Sequence, residues 1–560
     1  MGVYDLKSIN MPYLAGGALK LVASLAEGSL KGLLLPNLLD SVGISTLRSQ
    51  TVEETPTVYP IHHTGRMQEK ATAVETRELP RKASTPKGFH FTSVFDIAKA
   101  YRDGTITPEE VAKNVLESME ASNAHTPALN AFIAVQRDDI MKQASEATQR
   151  FKKKKTLSIF DGVPIGIKDE IDVQGYPTTC GTSFLKKVAD EDATVVARLR
   201  RAGALIVGKT NMHEIGIGVT GLNAHHGTTR NPYNTDHYTG GSSSGSGTAV
   251  ASGLVPVAIG ADGGGSIRVP SAFCGLVGLM STFGRVSEHG AMPIDWSVAH
   301  IGPIAGSATD AALTYALIAG SDPADPFTMH QPVPSLEGWD NLKLKGLKLG
   351  VYWEWFRHAD SEVVAACETM LNQYESMGCE IREVTIPNLE ANRGAHLITI
   401  TSEMAQAMNS MYDTPHRFKE HGLDVRINLA LARQLKSTDY VLAQRVRTRM
   451  MRHFHEAFQQ VDMVITPTTA IAAPPIKGGA LPEGDSDLTT LTEIMRFVTT
   501  SNMTGHPAIS FPVGYTQKGL PIGMQAICRP WDEATLLRMA LAAEQVVEKK
   551  EPQIYYNLLG

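Results

Sequence analysis

Cysteine is scarce in this chain of 560 residues: five, Cys180, Cys274, Cys367, Cys379 and Cys528, scattered and odd in number. No C-x-x-C pair occurs, which excludes a disulfide scaffold and a zinc ribbon and points to a reducing compartment. Among 18 histidines there is no H-E-x-x-H, so no metal constellation and no cofactor are expected. Positive charge is not in surplus: 52 Lys and Arg stand against 58 Asp and Glu, for a formal net charge of −6. Nucleic-acid binders need a basic face to neutralise phosphates, so a nucleic-acid partner is not expected. The sharpest charge run, Lys152 to Lys155, reads as a solvated loop. No apolar run reaches the about 18 to 20 residues that a spanning helix requires. The opening "MGVYDLKSIN" lacks the basic and apolar regions of a secretory signal, and Leu6 stands where a myristoylation motif wants Ser or Thr.

What is present is ordinary globular composition, 42% hydrophobic and 20% charged. Residues 11 to 44 are amphipathic with a helical period. Lys20, Ser24, Glu27 and Lys31 recur on one side, and Leu14, Ala18, Leu21, Val22 and Leu25 on the other. Gly28 and Pro36 predict a split into short helices. Such a pair either packs on the main body, at a subunit contact for instance, or lies in a membrane interface. Residues 46 to 90 are polar and Pro-containing, and read as an irregular arm. From residue 91 the texture is β-α-β. "IFDGVPIGIKDEIDV" reads as a strand entering a loop, "ALIVGKT", "LKLGVYWEW", "CEIREVTI", "MVITPTT", "AISFPVG" and "GMQAICR" as further strands, with helices between. That rhythm predicts an α/β catalytic unit over 91–560 with a largely parallel sheet.

The densest chemistry lies in "TGGSSSGSGTAVASGLVPVAIGADGGGSIR", Thr239 to Arg268. A flexible linker would not carry the buryable middle "AVASGLVPVAIGA". Gly241 to Gly245 match G-x-S-x-G with Ser243 as nucleophile, but that elbow needs a strand directly before it, and turn formers precede it here. The third reading pairs two Ser-containing loops across one helix or helix-turn segment. Gly263, Gly264, Gly265 and Ser266 then form a loop rich in backbone N–H donors, suited to an oxyanion or a phosphate. "GIGVTG", Gly216 to Gly221, matches G-x-G-x-x-G, yet no strand leads directly into it and no helix pattern follows. It reads as a tight loop lining a pocket rather than a nucleotide site. Ser183 and Lys186 have S-x-x-K spacing with nothing further in support.

At these residues the chain resembles the amidase signature family over roughly residues 91 to 555. The stretch "YTGGSSSGSGTAVASGLVPVAIGADGGGSIRVPSAFCGLVGLMSTFGR" carries the resemblance. Further blocks in order are "GVPIGIKDEIDVQGYPTTCGTSF", "ARLRRAGALIVGKTNMHE", "GTTRNPYN", "VITPTT" and "NMTGHPAISFPVG". The resemblance implies one large twisted, mixed β-sheet covered by helices on both faces, with the N-terminal helical pair of residues 1–45 as an appendage. It implies a Ser–cis-Ser–Lys triad: Ser266 as nucleophile, Ser242 as relay 24 positions earlier, and Lys168 as base. Asp262 and Arg268 are implied as groups that order the nucleophile loop. Where the family usually has "GGSSGG", Ser244 replaces a glycine, so Ser243 and Ser244 offer extra hydroxyls and spacing alone does not choose the relay. A serine hydroxyl needs a base, and a lysine base must be neutral, which burial favours. "VPIGIKDEI" places Lys168 at the end of an apolar strand. The competing reading is a surface lysine, or one paired with Asp169.

The front "MPYLAGGALKLVASLAEGSLKGLLLPNLL", with "KTNMHEIGIGVTG" and "TGGSSSGS", is similar to plant-type fatty acid amide hydrolases. That resemblance implies hydrolysis of N-acylethanolamines and related long-chain fatty amides by an intracellular homodimer. It would be peripherally attached, through residues 11–44, to the endoplasmic reticulum or plasma membrane. It also implies that the loop around Ile217 lines the substrate channel. The alternatives are another amidase, including an amidotransferase subunit, and, from other classes, an inactive scaffold or a nucleotide-binding protein.

Overall fold

The computed structural model describes residues 4–62, 79, 86–412 and 418–560. Helix boundaries follow local chemistry. The stretch from Thr92 to His125, helical in periodicity, forms two helices, Val94–Asp103 and Pro108–Ala124. Each begins in a capping box, Ser93 with Asp96 and Thr107 with Glu110, and Gly104 ends the first at φ 71°. The boxes satisfy backbone donors that have no partner inside the helix, and glycine adopts the left-handed cap without a Cβ penalty.

Eleven strands form one sheet. From one edge they run Glu380–Glu383, Lys348–Val351, Met463–Pro467, Pro521–Cys528, Ala508–Tyr515 and Val277–Met280. Then come Ile301–Ala305, Val257–Ala261, Pro164–Lys168, Leu205–Thr210 and Phe132–Ala134. Four of the ten pairings are parallel and six antiparallel. The sheet is therefore mixed, as the family resemblance implies, and not largely parallel as the β-α-β rhythm alone predicts. The centre departs from that rhythm because antiparallel neighbours need no crossover helix. Ala508–Tyr515 and Pro521–Cys528 are joined by a short turn. Central strands such as Val257–Ala261 are buried at every position, and helices cover both faces of the sheet.

The N-terminal helices are Gly16–Glu27, Lys31–Ser41 and Ile44–Arg48. Gly28 separates the first two as expected, but Pro36 lies inside the second. Gly32 and Pro36 are both exposed, so a carbonyl deprived of its N–H partner meets water there. The first helix buries Leu19, Ala23 and Ala26 against Ile427 and Ala430 of helix Leu423–Ala432. Its polar side also faces the body: Lys20 pairs with Glu483 at 2.6 Å, and Glu27 takes both Nε and Nη2 of Arg426 at 2.7 and 2.8 Å. Leu21, Leu30 and Leu33 are left 60%, 54% and 71% exposed. Residues 51–58 then run along helix Ser437–Phe458, with Glu54 paired to Arg449 and the Thr57 N–H donating to the Gln444 carbonyl, and Tyr59 turns to Phe327 and His62 to Thr504. The rest of the arm, 63–78 and 80–85, lies outside the described residues.

One buried side chain ties the sheet to the loop after Val257–Ala261. Arg268 donates to both carboxylate oxygens of Asp262 at 3.0 Å. Its remaining donors reach the Val498 carbonyl, Ser501 Oγ, Asn502 Oδ1 and Gln525 Oε1, at 2.6 to 2.9 Å. Burial alone raises a carboxyl pKa, but here the Arg268 guanidinium overrides it and holds Asp262 well below the usual carboxylate range. The resulting stability is present above the unfolded value near pH 4 and is lost only as pH falls through the depressed folded value. Arg268→Met leaves Asp262 as an unpaired buried charge. It is expected to destabilise the chain by about 3–5 kcal/mol, read as a lowered urea midpoint, whereas Lys153→Met on the exposed basic run leaves the midpoint unchanged.

Candidate active site

Lys168 is the last residue of strand Pro164–Lys168, at the centre of the parallel part of the sheet. It is 1% exposed. Its Nζ lies 2.8 Å from Ser242 Oγ, 3.1 Å from the Ala261 carbonyl and 3.2 Å from Glu170 Oε1. The surface-lysine reading therefore fails. Pairing with Asp169 fails for a simpler reason. Asp169 and Glu170 lie in the turn after the strand: Asp169 meets Lys209 at 3.4 Å and accepts from the Thr179 and Gly181 N–H groups, while Glu170 is brought to Lys168.

Ser242 follows a cis peptide bond, Gly241–Ser242. Ser243 and Ser244 are separated from it by geometry. Ser243 Oγ donates to the Ala261 carbonyl at 3.1 Å and accepts from the Ala261 N–H at 3.3 Å, a bridge between the serine loop and the sheet. Ser244 opens the helix Ser244–Ala251, with its hydroxyl buried and unpaired. Of the three hydroxyls, Ser242's is the one set on Lys168. The segment between the two serine loops is that helix followed by strand Val257–Ala261, not a helix alone. A short all-apolar run does not distinguish the two by periodicity.

The second loop is shaped by Asp262, which accepts from the Gly265 N–H at 2.6 Å and the Ile267 N–H at 3.1 Å. Gly265 adopts φ 113°, a region glycine alone enters readily. Ser243 N–H donates to the Ser266 carbonyl at 3.3 Å, so the two serine loops are bonded directly to one another. His396 was not legible in the sequence. It lies on helix Leu389–Ala407 and is hydrogen-bonded through Nε2 to the Gly263 carbonyl at 2.8 Å. Burial pushes its pKa down to about 4, so the neutral ring holds that carbonyl across the neutral range. A lone histidine on a distant helix carries no local motif. Glu170, also missed, sits in plain view two residues after Lys168.

Two cavities meet at Ser266. One is polar, about 20 Å³, and lined by Lys168, Glu170, Ser242, Gly263, Ser266 and Asp295 among others. The other is apolar, about 150 Å³. Its walls are Leu6, Ile9, Leu39, Val42 and Ile44 from the N-terminal segment, Leu397, Ile400 and Met404 from helix Leu389–Ala407, and Leu491 and Met495. Ile217, Gly264 and Ser266 also line it. The glycine-rich segment 216–221 thus lies on a pocket wall, and no helix follows it. Ser183 and Lys186 are both exposed, remote in burial from this chemistry. Among the described residues no group of His, Cys, Asp and Glu side chains is arranged to hold a metal ion.

The family model described as Amidase matches residues 113–537. The chain is 40% identical to a fatty acid amide hydrolase of Oryza sativa subsp. indica over 588 aligned residues, covering all of this chain and 96% of that protein. It is 43% identical to a fatty acid amide hydrolase of Medicago truncatula, covering 84% of this chain and 79% of that one. Among solved structures, a peptide amidase in complex with the inhibitor chymostatin superposes with a TM-score of 0.71 at 28% identity, covering 82% of this chain and 99% of that one. The chain belongs to the amidase family and is an amide-cleaving hydrolase.

Proposed function

We propose that the chain hydrolyses long-chain fatty acid amides, N-acylethanolamines among them, to the free fatty acid and the amine. The observation that carries this reading is the apolar cavity that ends on Ser266. An acyl chain laid in it places its carbonyl at the hydroxyl. Burying each methylene is worth about 0.8 kcal/mol, so the cavity favours long chains over short ones.

In the proposed mechanism Ser266 Oγ attacks the carbonyl while its proton passes to Ser242 Oγ, and the Ser242 proton passes to Lys168 Nζ. Hydroxyls both donate and accept, which lets Ser242 act as relay. The tetrahedral oxygen is met by backbone N–H groups of the 263–266 loop. The Gly265 N–H is already given to Asp262, so Gly263, Gly264 and Ser266 supply the donors. Each such donor is worth about 3–4 kcal/mol in a preorganised site. Lys168 then returns the proton through Ser242 to the leaving nitrogen, and water cleaves the acyl-enzyme.

The exposed Leu21, Leu30 and Leu33 support a second element of the proposal, that the N-terminal helices lie on a membrane surface. The appendage keeps its ion-paired side on the body and turns leucines outward, which a helix pair packed only on its own protein would not need.

Ser266→Ala is expected to abolish labelling by a fluorophosphonate probe while Ser243→Ala keeps it; labelling that survives the first change rejects Ser266 as nucleophile. Lys168→Ala is expected to lose at least about tenfold more amide than ester hydrolysis, because the poorer amine leaving group needs the returned proton. Equal losses, measured on a matched amide and ester, count against the acid–base role. A panel of ethanolamides and primary amides of graded acyl length is expected to show kcat/KM rising with chain length, and a flat profile rejects the fatty amide assignment. Leu21→Glu combined with Leu33→Glu is expected to reduce co-sedimentation with phospholipid vesicles severalfold, as charge on that face opposes interfacial burial. A change in subunit association in its place would assign the face to a second copy.

A further inference from the structure

Lys168 Nζ has three neighbours of unequal chemistry. The Ala261 carbonyl and the Glu170 carboxylate can only accept a hydrogen bond, and the Ser242 hydroxyl can also donate one. A neutral amine offers two N–H groups and one lone pair. Lys168 is hydrogen-bonded to Ser242 and Ala261 and in ion-pair contact with Glu170 at 3.2 Å; one N–H given to Ala261 and one turned toward Glu170 leave the lone pair for Ser242.

We propose that Glu170 is the positioning residue of Lys168, holding one amine N–H so that the lone pair faces Ser242 and offsetting the positive charge once the proton arrives. The proposal rests on Lys168 being the base. The proton balance is closed without protonating Glu170. Ser266 loses a proton, Lys168 gains one, and the resulting ammonium keeps its acceptors Ser242 and Ala261 with the Glu170 carboxylate 3.2 Å away as its counter-charge. The role parallels that of the carboxylate that orients a catalytic imidazole, here applied to an amine.

The surroundings suit such a role. The carboxylate reaches the cavity from the exit of the same strand as Lys168, and the cavity, about 20 Å³, has room for about one water, so bulk solvent does not screen the pair. Backbone closes it: a Cβ on Gly216 would lie 3.6 Å from Ser242 Oγ and 3.8 Å from Glu170 Oε2. Two other carboxyl groups, Asp262 and Asp295, line this space, and Glu403 lies near enough to act on Asp295. Asp262 is neutralised by Arg268. Glu403, on helix Leu389–Ala407, accepts from Ser297 and Tyr440. Asp295 lies against Gly263, where an added Cβ would overlap its carboxyl. Burial first, and then the charges of Glu170 and Glu403, push Asp295 up to about 8, so at neutral pH it adds no charge beside Glu170. In the turn after the strand, Asp169 pairs with Lys209 at 3.4 Å rather than with Lys168.

The test compares Glu170→Ala and Glu170→Gln with the parent enzyme and Lys168→Ala, using a fatty amide from about pH 5 to 10. Glu170→Ala is expected to lower kcat by about 10- to 100-fold with KM within about threefold, the cost of a misaimed base. Glu170→Gln keeps an acceptor and is expected to recover kcat to within about fivefold of the parent. Its acidic limb of kcat/KM should move to lower pH, since a negative charge beside the amine has gone. A kcat for Glu170→Ala within twofold of the parent, while Lys168→Ala is impaired, overturns the proposal and leaves the base assignment standing. Equal impairment of the two Glu170 variants with an unmoved limb also overturns it. Thermal melts check folding, and if the alanine variant does not fold, the limb position in the isosteric glutamine variant decides. Parent-like rates in Lys168→Ala would instead remove Lys168 as base.

Discussion

The site depends on the buried ion pair between Asp262 and Arg268. Asp262 bends the backbone of the nucleophile loop by accepting from the Gly265 and Ile267 N–H groups, while Arg268 spends its other donors on Val498, Ser501, Asn502 and Gln525. A guanidinium presents five donors in a rigid fork, which a lysine cannot imitate. The loop is thereby fastened to helix Thr499–Thr504 and strand Pro521–Cys528, elements more than 230 residues away in the chain. A buried pair of this kind adds little net stability relative to an apolar filling, so its value lies in fixing the place of Ser266.

From that fixed loop the polarity of the site divides. Toward the sheet, Lys168, Ser242 and Glu170 line a space of about one water; toward the N-terminal segment, the walls are apolar. The division follows from the turn after the strand. Asp169 is held there by Lys209 and the Thr179 and Gly181 N–H groups, and Glu170 comes beside Lys168. His396 adds a constraint from the helix above by holding the Gly263 carbonyl with a neutral ring.

Much of this was legible in the residues. The apolar strand ending in Lys168, the two serine loops and the donor-rich glycines could all be read, because each is local and each has few chemical explanations. The competing pairing of Lys168 with Asp169 fails because Asp169 is held by Lys209 and by the Thr179 and Gly181 N–H groups, segments that "KDE" does not show. Spacing left Ser242, Ser243 and Ser244 equivalent; the fold separates them by setting Ser242 on Lys168, giving both bonds of the Ser243 hydroxyl to the Ala261 backbone and placing Ser244 at the start of a helix. Val257–Ala261 was not separable from the helix before it, since a strand buried on both faces loses its period of two. The central antiparallel strands and His396 depend on contacts between segments far apart in sequence, which no local pattern encodes.

The N-terminal segment is where fold and proposed substrate meet. Leu6, Ile9, Leu39, Val42 and Ile44 form one wall of the cavity whose other walls come from the catalytic body. Removing that wall would open the acyl site to water along one side, and the apolar surface left there would need another cover. The same segment is fastened through the ion pairs of Lys20 and Glu27 and through buried Leu19, Leu35 and Leu39, while Leu21, Leu30 and Leu33 stand outward. The segment that walls the cavity also carries, on the proposed membrane reading, the leucines that enter the bilayer. On the proposed reading, an amide leaving a bilayer need not cross bulk water to reach Ser266. The cost that would otherwise fall on each exposed methylene, about 0.8 kcal/mol, is then avoided along the path of entry.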